Sequence, residues 1–143
     1  MRVAELLAGK GDVVAYVGPG ASIRDALSLL AEAGVGALVV SRDGVNVEGI
    51  VSERDIVREM CTAGASIFGR TVAELMSAKV YSCGLDTEIE TLGELMTDQH
   101  IRHVPVIEDD QLRGIVSIGD VVKWRITLLQ NDRKELLEYG SAR

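Results

Sequence analysis

Residues 49–57 read Gly49-Ile50-Val51-Ser52-Glu53-Arg54-Asp55-Ile56-Val57, and residues 114–122 read Gly114-Ile115-Val116-Ser117-Ile118-Gly119-Asp120-Val121-Val122; six of the nine positions are identical. A short apolar run ending in Ser-x-x-Asp, with further apolar residues behind it, predicts a strand that turns directly into a helix. Because the phrase is written twice, the chain is an internal duplication, and its fold is to be read as two copies of one unit.

The repetition extends outward from the phrase. Val3-Ala4-Glu5-Leu6-Leu7 matches Val72-Ala73-Glu74-Leu75-Met76, so each half opens with a short helical turn. Val14-Ala15-Tyr16-Val17 parallels Val80-Tyr81-Ser82-Cys83 as a short strand, followed by the turn residues Gly18-Pro19-Gly20 and Gly84-Leu85-Asp86. A helix then starts at Ile23 behind the N-cap Ser22 and stops at Gly34; its counterpart begins after Thr87 or Glu88, carries Ile89, Leu92, Leu95 and Met96, and stops before His100. Two apolar runs, residues 35–40 and 101–107, predict strands, each joined to the Gly-Ile-Val strand by an Asp-rich turn.

These readings give an α+β fold of two repeats, each a short helical turn, strand, helix, two strands and helix. A pair of copies closes most simply by packing its sheets face to face about a pseudo-twofold axis, and two small halves sharing one core suit the length of 143 residues. The expected organisation is a first repeat over 1–62, a linker over 63–70 with Gly64 and Gly69, a second repeat over 71–126, and a helical extension over 127–143. The extension has no counterpart after the first phrase. The longer helix that runs into it, read over Val121 to Tyr139, sets apolar Val122, Ile126, Leu129 and Leu137 among charged residues, a pattern that covers a core or meets a partner helix; a dimer contact is expected, with Trp124 as a packing anchor.

Composition narrows the function. The formal net charge of −7 repels a nucleic-acid backbone, no apolar run is long enough to span a bilayer, and the first residues lack a secretory signal. A cytoplasmic protein with no nucleic-acid or membrane partner is expected. Cys61 and Cys83 lack disulfide or zinc spacing and read as structural thiols. His100 and His103 have no third ligand at metal-site spacing, and no nucleophile elbow, Walker loop or dinucleotide-binding glycine motif is present. No catalytic or metal-ligating residue is assigned, and a non-enzymatic role follows.

The Ser-x-x-Asp elements carry the remaining signal, in two ways that both stay open at this point. Ser52 and Ser117 can cap the helix N-termini with Asp55 and Asp120 in the first turn. Equally, the Asp carboxylates can take the vicinal hydroxyls of a ribose while the serines and helix-start amides meet phosphate. Arg54, Arg102 and His103 supply positive groups for the second reading. The copies differ here: Gly36 and Ala37 occupy the positions of Arg102 and His103, and Ile118-Gly119 that of Glu53-Arg54.

With these residues in view, the sequence resembles the CBS domain family, specifically the tandem pair called a Bateman module, over nearly its whole length from Val3 to about Ile126. The two nine-residue phrases and the strand Ile101-Arg102-His103-Val104-Pro105-Val106 carry the resemblance, and it is similar to small stand-alone bacterial CBS-pair proteins. The resemblance implies two CBS domains and a regulatory module that binds an adenosine-containing ligand, AMP, ADP, ATP or NAD(H), in two clefts between the halves. One cleft would use Asp55, Ser52 and Arg54 with walls from Thr87, Ile101, Arg102 and His103. The other would use Asp120 and Ser117 with walls from Ala21, Val35, Gly36 and Ala37, and would take its charge from Arg102 and His103 across the axis. The family pattern also implies a homodimer and an effector protein that reads the ligand. Two positions depart from it: Val39 stands in place of Pro, and Ala21 in place of a hydroxyl residue. The competing reading, from the residues alone, is a ligand-independent dimerisation or adapter module whose Ser-x-x-Asp elements are only helix caps.

Overall fold

A computed structural model describes residues 1–11 and 13–141, the side chain of Ser141 excepted; of the predicted C-terminal extension, residues 142 and 143 lie outside the described residues. The first half contains α1 (Val3–Lys10), β1 (Tyr16–Val17), α2 (Ile23–Ala33), β2 (Ala37–Val40), β3 (Gly49–Ser52) and α3 (Glu53–Ala63). A 3-10 turn over Gly64–Gly69 leads to α4 (Val72–Leu75), α5 (Ile89–Gln99), β4 (His103–Glu108), β5 (Gln111–Ser117) and α6 (Ile118–Ser141). In the first sheet β2 is central, parallel to β1 and antiparallel to β3; in the second, β4 and β5 form an antiparallel pair. Ala37 pairs with Ser52 as His103 pairs with Ser117, so the duplicated phrase sits in the same register in both halves.

Helix boundaries follow local chemistry. The Ser22 hydroxyl accepts from the Asp25 amide at 3.1 Å and starts α2, while Gly34 ends it in the left-handed region at φ 64°. His100 ends α5 at the equivalent place with φ 54°, a conformation that costs a residue with a Cβ more than glycine. The β4–β5 hairpin turns on Asp109 and Asp110, both at positive φ, as a two-residue turn matching the strand twist requires.

The predicted strand at Val80-Tyr81-Ser82-Cys83 is not formed. Only Cys83 pairs, its amide donating to Pro105 O at 3.0 Å and its carbonyl accepting from Ile107 at 2.8 Å. The next bond of a parallel ladder would come from the amide of residue 105, and proline has none. In the first half Val39 stands at that position and its amide reaches Ala15 O at 3.4 Å, which helps β1 form.

Instead of one shared core there are two. One gathers Val17, Ile23, Ala26, Leu30, Leu38, Val40, Val51, Ile56, Ile67 and Val72; the other gathers Val3, Leu7, Ile89, Leu92, Met96, Val104, Val106 and Val116. The opening helical turns are therefore exchanged: α1 completes the core of the second half, and α4 that of the first. Burying Val3 and Leu7 contributes about 1.5–3 kcal/mol each to that distant core. Backbone bonds repeat the exchange pair by pair. Val3 N donates to Thr87 O at 2.9 Å and Ile89 N to Met1 O at 3.0 Å, matching Val72 N to Ala21 O at 2.8 Å and Ile23 N to Arg70 O at 2.9 Å. These matched clamps are the physical form of the pseudo-twofold axis.

The stretch between the halves is packed too. Ile67 is fully buried, Arg24 lies over the Phe68 ring at 5.3 Å, and Arg70 bridges Glu59 at 2.7 Å and Glu74 at 2.8 Å. Trp124 and Val121 lean against the second core from α6, leaving Val122, Ile126, Leu129 and Leu137 of that helix exposed. Cys83 packs against the second core and burial pushes its thiol up to about 11, whereas Cys61, expected to be buried, is exposed on α3. Among the described residues no helix is long and apolar enough to cross a membrane.

Candidate functional site

A cleft of about 500 Å³ opens between the halves, where the N-termini of α3 and α6 and the starts of β2 and β4 meet. Its walls bring together Gly36, Ala37, Ser52, Arg54, Asp55, Ile101, Arg102, His103 and Ser117 from the expected set. Ala21, Val35, Thr87 and Asp120 are not among its lining residues. Ala21 and Thr87 lie instead beneath the exchanged turns, their carbonyls taken by Val72 and Val3, and the Thr87 hydroxyl is taken by the Gly84 amide at 3.0 Å. Val35 is an exposed residue at the end of α2.

Both Ser-x-x-Asp elements make a reciprocal cap. The Asp55 Oδ2 accepts from the Ser52 amide and hydroxyl, each at 2.9 Å, and the Asp55 amide donates back to Ser52 Oγ at 3.2 Å. Asp120 Oδ2 accepts from the Ser117 amide at 2.8 Å, and the Asp120 amide donates to Ser117 Oγ at 3.2 Å. Aspartate thus closes the box in both copies because it bonds the cap residue's own amide. At Asp55 all of this uses Oδ2, so Oδ1 retains its acceptor capacity beside the cleft.

The two carboxylates have different neighbours. Lys10 Nζ lies 2.6 Å from Asp120 Oδ2 and also donates to Ile115 O at 2.8 Å. The charge expected from Arg102 and His103 is supplied by Lys10, a residue 110 positions away in the chain. Burial raises the Asp120 pKa, but the bonds from Lys10 and Ser117 outweigh it and hold the carboxyl below its ordinary value. Asp55 has no basic partner at all among the described residues.

The basic residues of the cleft are Arg54, Arg58, Lys79 and Arg102, against the acids Glu53 and Asp55. Among the described residues none of the three arginines enters an ion pair, and Lys79 Nζ rests over the Tyr81 ring at 5.3 Å. A cluster of uncommitted cations in a chain of net charge −7 is the local field that a phosphate would seek. His103 does not add to it. Burial, reinforced by Lys10, pushes its imidazole below the ordinary value despite Glu53 and Asp120, which disfavours the positive group expected there. The ring and the Glu53 carboxylate crowd Gly36, where an added Cβ would lie 3.4 Å and 3.3 Å from them.

Arg58, Lys79, Tyr81 and His100 were not anticipated. Arg58 was legible as one helical turn beyond Arg54 on α3. Lys79 and Tyr81 reach the cleft because α4 is exchanged, which residue spacing does not reveal. Apolar Ile50, Ile101, Pro105 and Ile118 also line the cleft beside the charged residues.

Two matched repeats enclosing an apolar and basic cleft are the layout of a module built from paired domains. The chain belongs to the CBS domain family, whose model matches it twice, over residues 11–61 and 72–127. Among curated relatives, the mitochondrial CBS domain-containing protein CBSX3 of Arabidopsis thaliana is 36% identical over 119 residues, covering 80% of this chain and 56% of the plant protein. The crystal structure of the CBS-domain protein ATU1752 from Agrobacterium tumefaciens is 43% identical, with a TM-score of 0.84 over 87% of this chain and 99% of that one. The CBS domain pair of protein MJ0100, solved in complex with 5′-methylthioadenosine and S-adenosyl-L-methionine, shares the fold at a TM-score of 0.77 and 21% identity, covering 87% of this chain and 94% of that one.

Proposed function

We propose that the chain is a non-enzymatic regulatory module, working in the cytoplasm, whose cleft binds an adenosine phosphate such as AMP, ADP or ATP, or the adenosine half of NAD(H). The observation that carries this reading is the grouping of Arg54, Arg58, Lys79 and Arg102 around Asp55, a carboxylate with a vacant oxygen and no cation of its own. Asp55 takes the ribose hydroxyls, the basic side chains and the α3 N-terminus take phosphate, and Ile50, Ile101, Pro105 and Ile118 flank the base. MJ0100, with its adenosine ligands, illustrates the fold accepting this chemistry.

Binding across the two halves would shift their relative placement and that of α6, which a partner reads. The exposed apolar residues Val57 and Met60 on α3 and Val122, Ile126 and Leu129 on α6 support a homodimer contact along these helices. Sedimentation giving a monomer mass at micromolar concentration would dismiss that contact.

Calorimetry with AMP, ATP, NADH and S-adenosylmethionine tests the ligand. Heat with at least one, abolished in Asp55→Ala and weakened in Arg102→Gln, supports the reading; silence with all four removes it. The adapter reading draws on the fully formed caps at Ser52 and Ser117, and under it Asp55→Ala alters stability alone.

A further inference from the structure

The pseudo-twofold axis relates Gly36 to Arg102, Ala37 to His103, Ser52 to Ser117, Glu53 to Ile118 and Arg54 to Gly119, and both members of every pair line the cleft. Away from the axis the symmetry fails. Ile50, Asp55, Lys79 and Ile101 line the cleft, while their mates Ile115, Asp120, Lys10 and Val35 do not. The cleft therefore runs from the axis toward Asp55 alone.

Lys10 and Lys79 hold the same position in the repeat, each three residues beyond the matched pair Leu7 and Met76. Their ammonium groups are placed differently. Lys79 turns onto the Tyr81 ring and faces the open cleft. Lys10 spans from Ile115 O at 2.8 Å to Asp120 Oδ2 at 2.6 Å, beside the Ser117 amide at 2.8 Å. Each carboxylate thus accepts its bonds through Oδ2, and what sets Asp120 apart from Asp55 is the ammonium in contact with it. A ribose diol approaching Asp120 would compete with a charged donor already in contact, which is stronger than a neutral hydroxyl.

We propose that Lys10 is a built-in plug of the second ribose position, so that the chain takes one adenosine-containing ligand, on the Asp55 side, and that removing Lys10 opens a second, pseudo-symmetric site at Asp120. This rests on the adenosine reading of the cleft given above. The residue acts on stoichiometry: the duplication supplies two carboxylates, and a lysine from the exchanged helix silences one of them.

Calorimetry on the full chain with AMP, ATP, NADH and S-adenosylmethionine in separate titrations decides the matter. The expected result is one ligand per wild-type chain, two per Lys10→Met chain, and a return to one when Asp120→Asn is added. In the wild-type background Asp120→Asn should leave affinity unchanged within twofold while Asp55→Asn lowers it at least tenfold; this arm stands even if Lys10→Met folds poorly. Two ligands per wild-type chain, one per well-folded Lys10→Met chain, or a tenfold loss in Asp120→Asn would overturn the plug and leave the adenosine reading intact. No binding of any of the four by wild type and Lys10→Met alike overturns both.

Discussion

The sulfur of Met76 lies 2.7 Å from the point that a Cβ on Gly49 would occupy, with the Ser77 carbonyl at 2.9 Å. The pseudo-symmetric contact puts the Leu7 methyls 2.8 Å from the corresponding point on Gly114. Glycine opens the duplicated phrase in both copies because the exchanged segment, α1 at Gly114 and the residues just past α4 at Gly49, presses on the strand there.

Gly49→Ala and Gly114→Ala are accordingly destabilising, with overpacking costs of about 1–3 kcal/mol. Gly49→Ala should be the worse of the two, since a backbone carbonyl blocks it while at Gly114 only a leucine side chain has to turn. Urea denaturation of both variants checks the order, and equal midpoints would refute the account.

Asp55→Ala should lose about 1 kcal/mol of stability with its cap and all ligand-induced thermal stabilisation. Arg102→Gln, which removes a phosphate partner and no cap, should leave the unliganded melting temperature within a degree or two. It should weaken AMP roughly tenfold, about 1.4 kcal/mol, and leave adenosine unaffected. Paired melts with and without each ligand separate the two effects.

His103 gives a pH signature of definite sign. Its pKa is lowered in the folded chain from 6.5, so the unfolded chain binds the proton more readily. The stability due to a neutral His103 is complete above about pH 6.5 and declines as pH falls from there toward the folded value. Asp120, also lowered, adds its loss only at more acid pH, below about 3.9, as its carboxylate is protonated. Denaturant midpoints between pH 7 and pH 5 should therefore fall in the wild type and fall less in His103→Gln; parallel curves would count against it.

Thiol labelling distinguishes the cysteines. Exposed Cys61 should react with iodoacetamide at pH 8 within minutes, while Cys83, its thiol pushed up to about 11, should react only after unfolding. Mass spectrometry of digested protein reads both sites, and equal labelling would contradict the packing of Cys83.

The repeat, the helices and the two hairpin strands were legible because apolar periodicity and Ser, Gly and Asp punctuation act over a few residues. Ser22, Gly34 and the Asp109–Asp110 turn behave as their local chemistry demands. The failures are long-range. Thr87 and Ala21 look available in sequence, but α1 and α4 arrive from outside each half and claim their carbonyls. The Lys10–Asp120 contact leaves no pattern at all, since neither residue has a periodic or motif partner that points to the other. Pro105 shows the intermediate case: read as the mark of a strand, it also prevents the neighbouring strand from extending.

The exchange of α1 and α4 governs how the chain can be built and cut. As the chain emerges from its N-terminus, the first half closes its core once Val72 arrives, whereas Val3 and Leu7 wait for strands that end at Ser117. A cut between the repeats yields no self-sufficient piece: the N-terminal fragment carries a helix it cannot bury and lacks the one it needs, and the C-terminal fragment has the converse fault. The pair is the smallest unit in which both cores are closed.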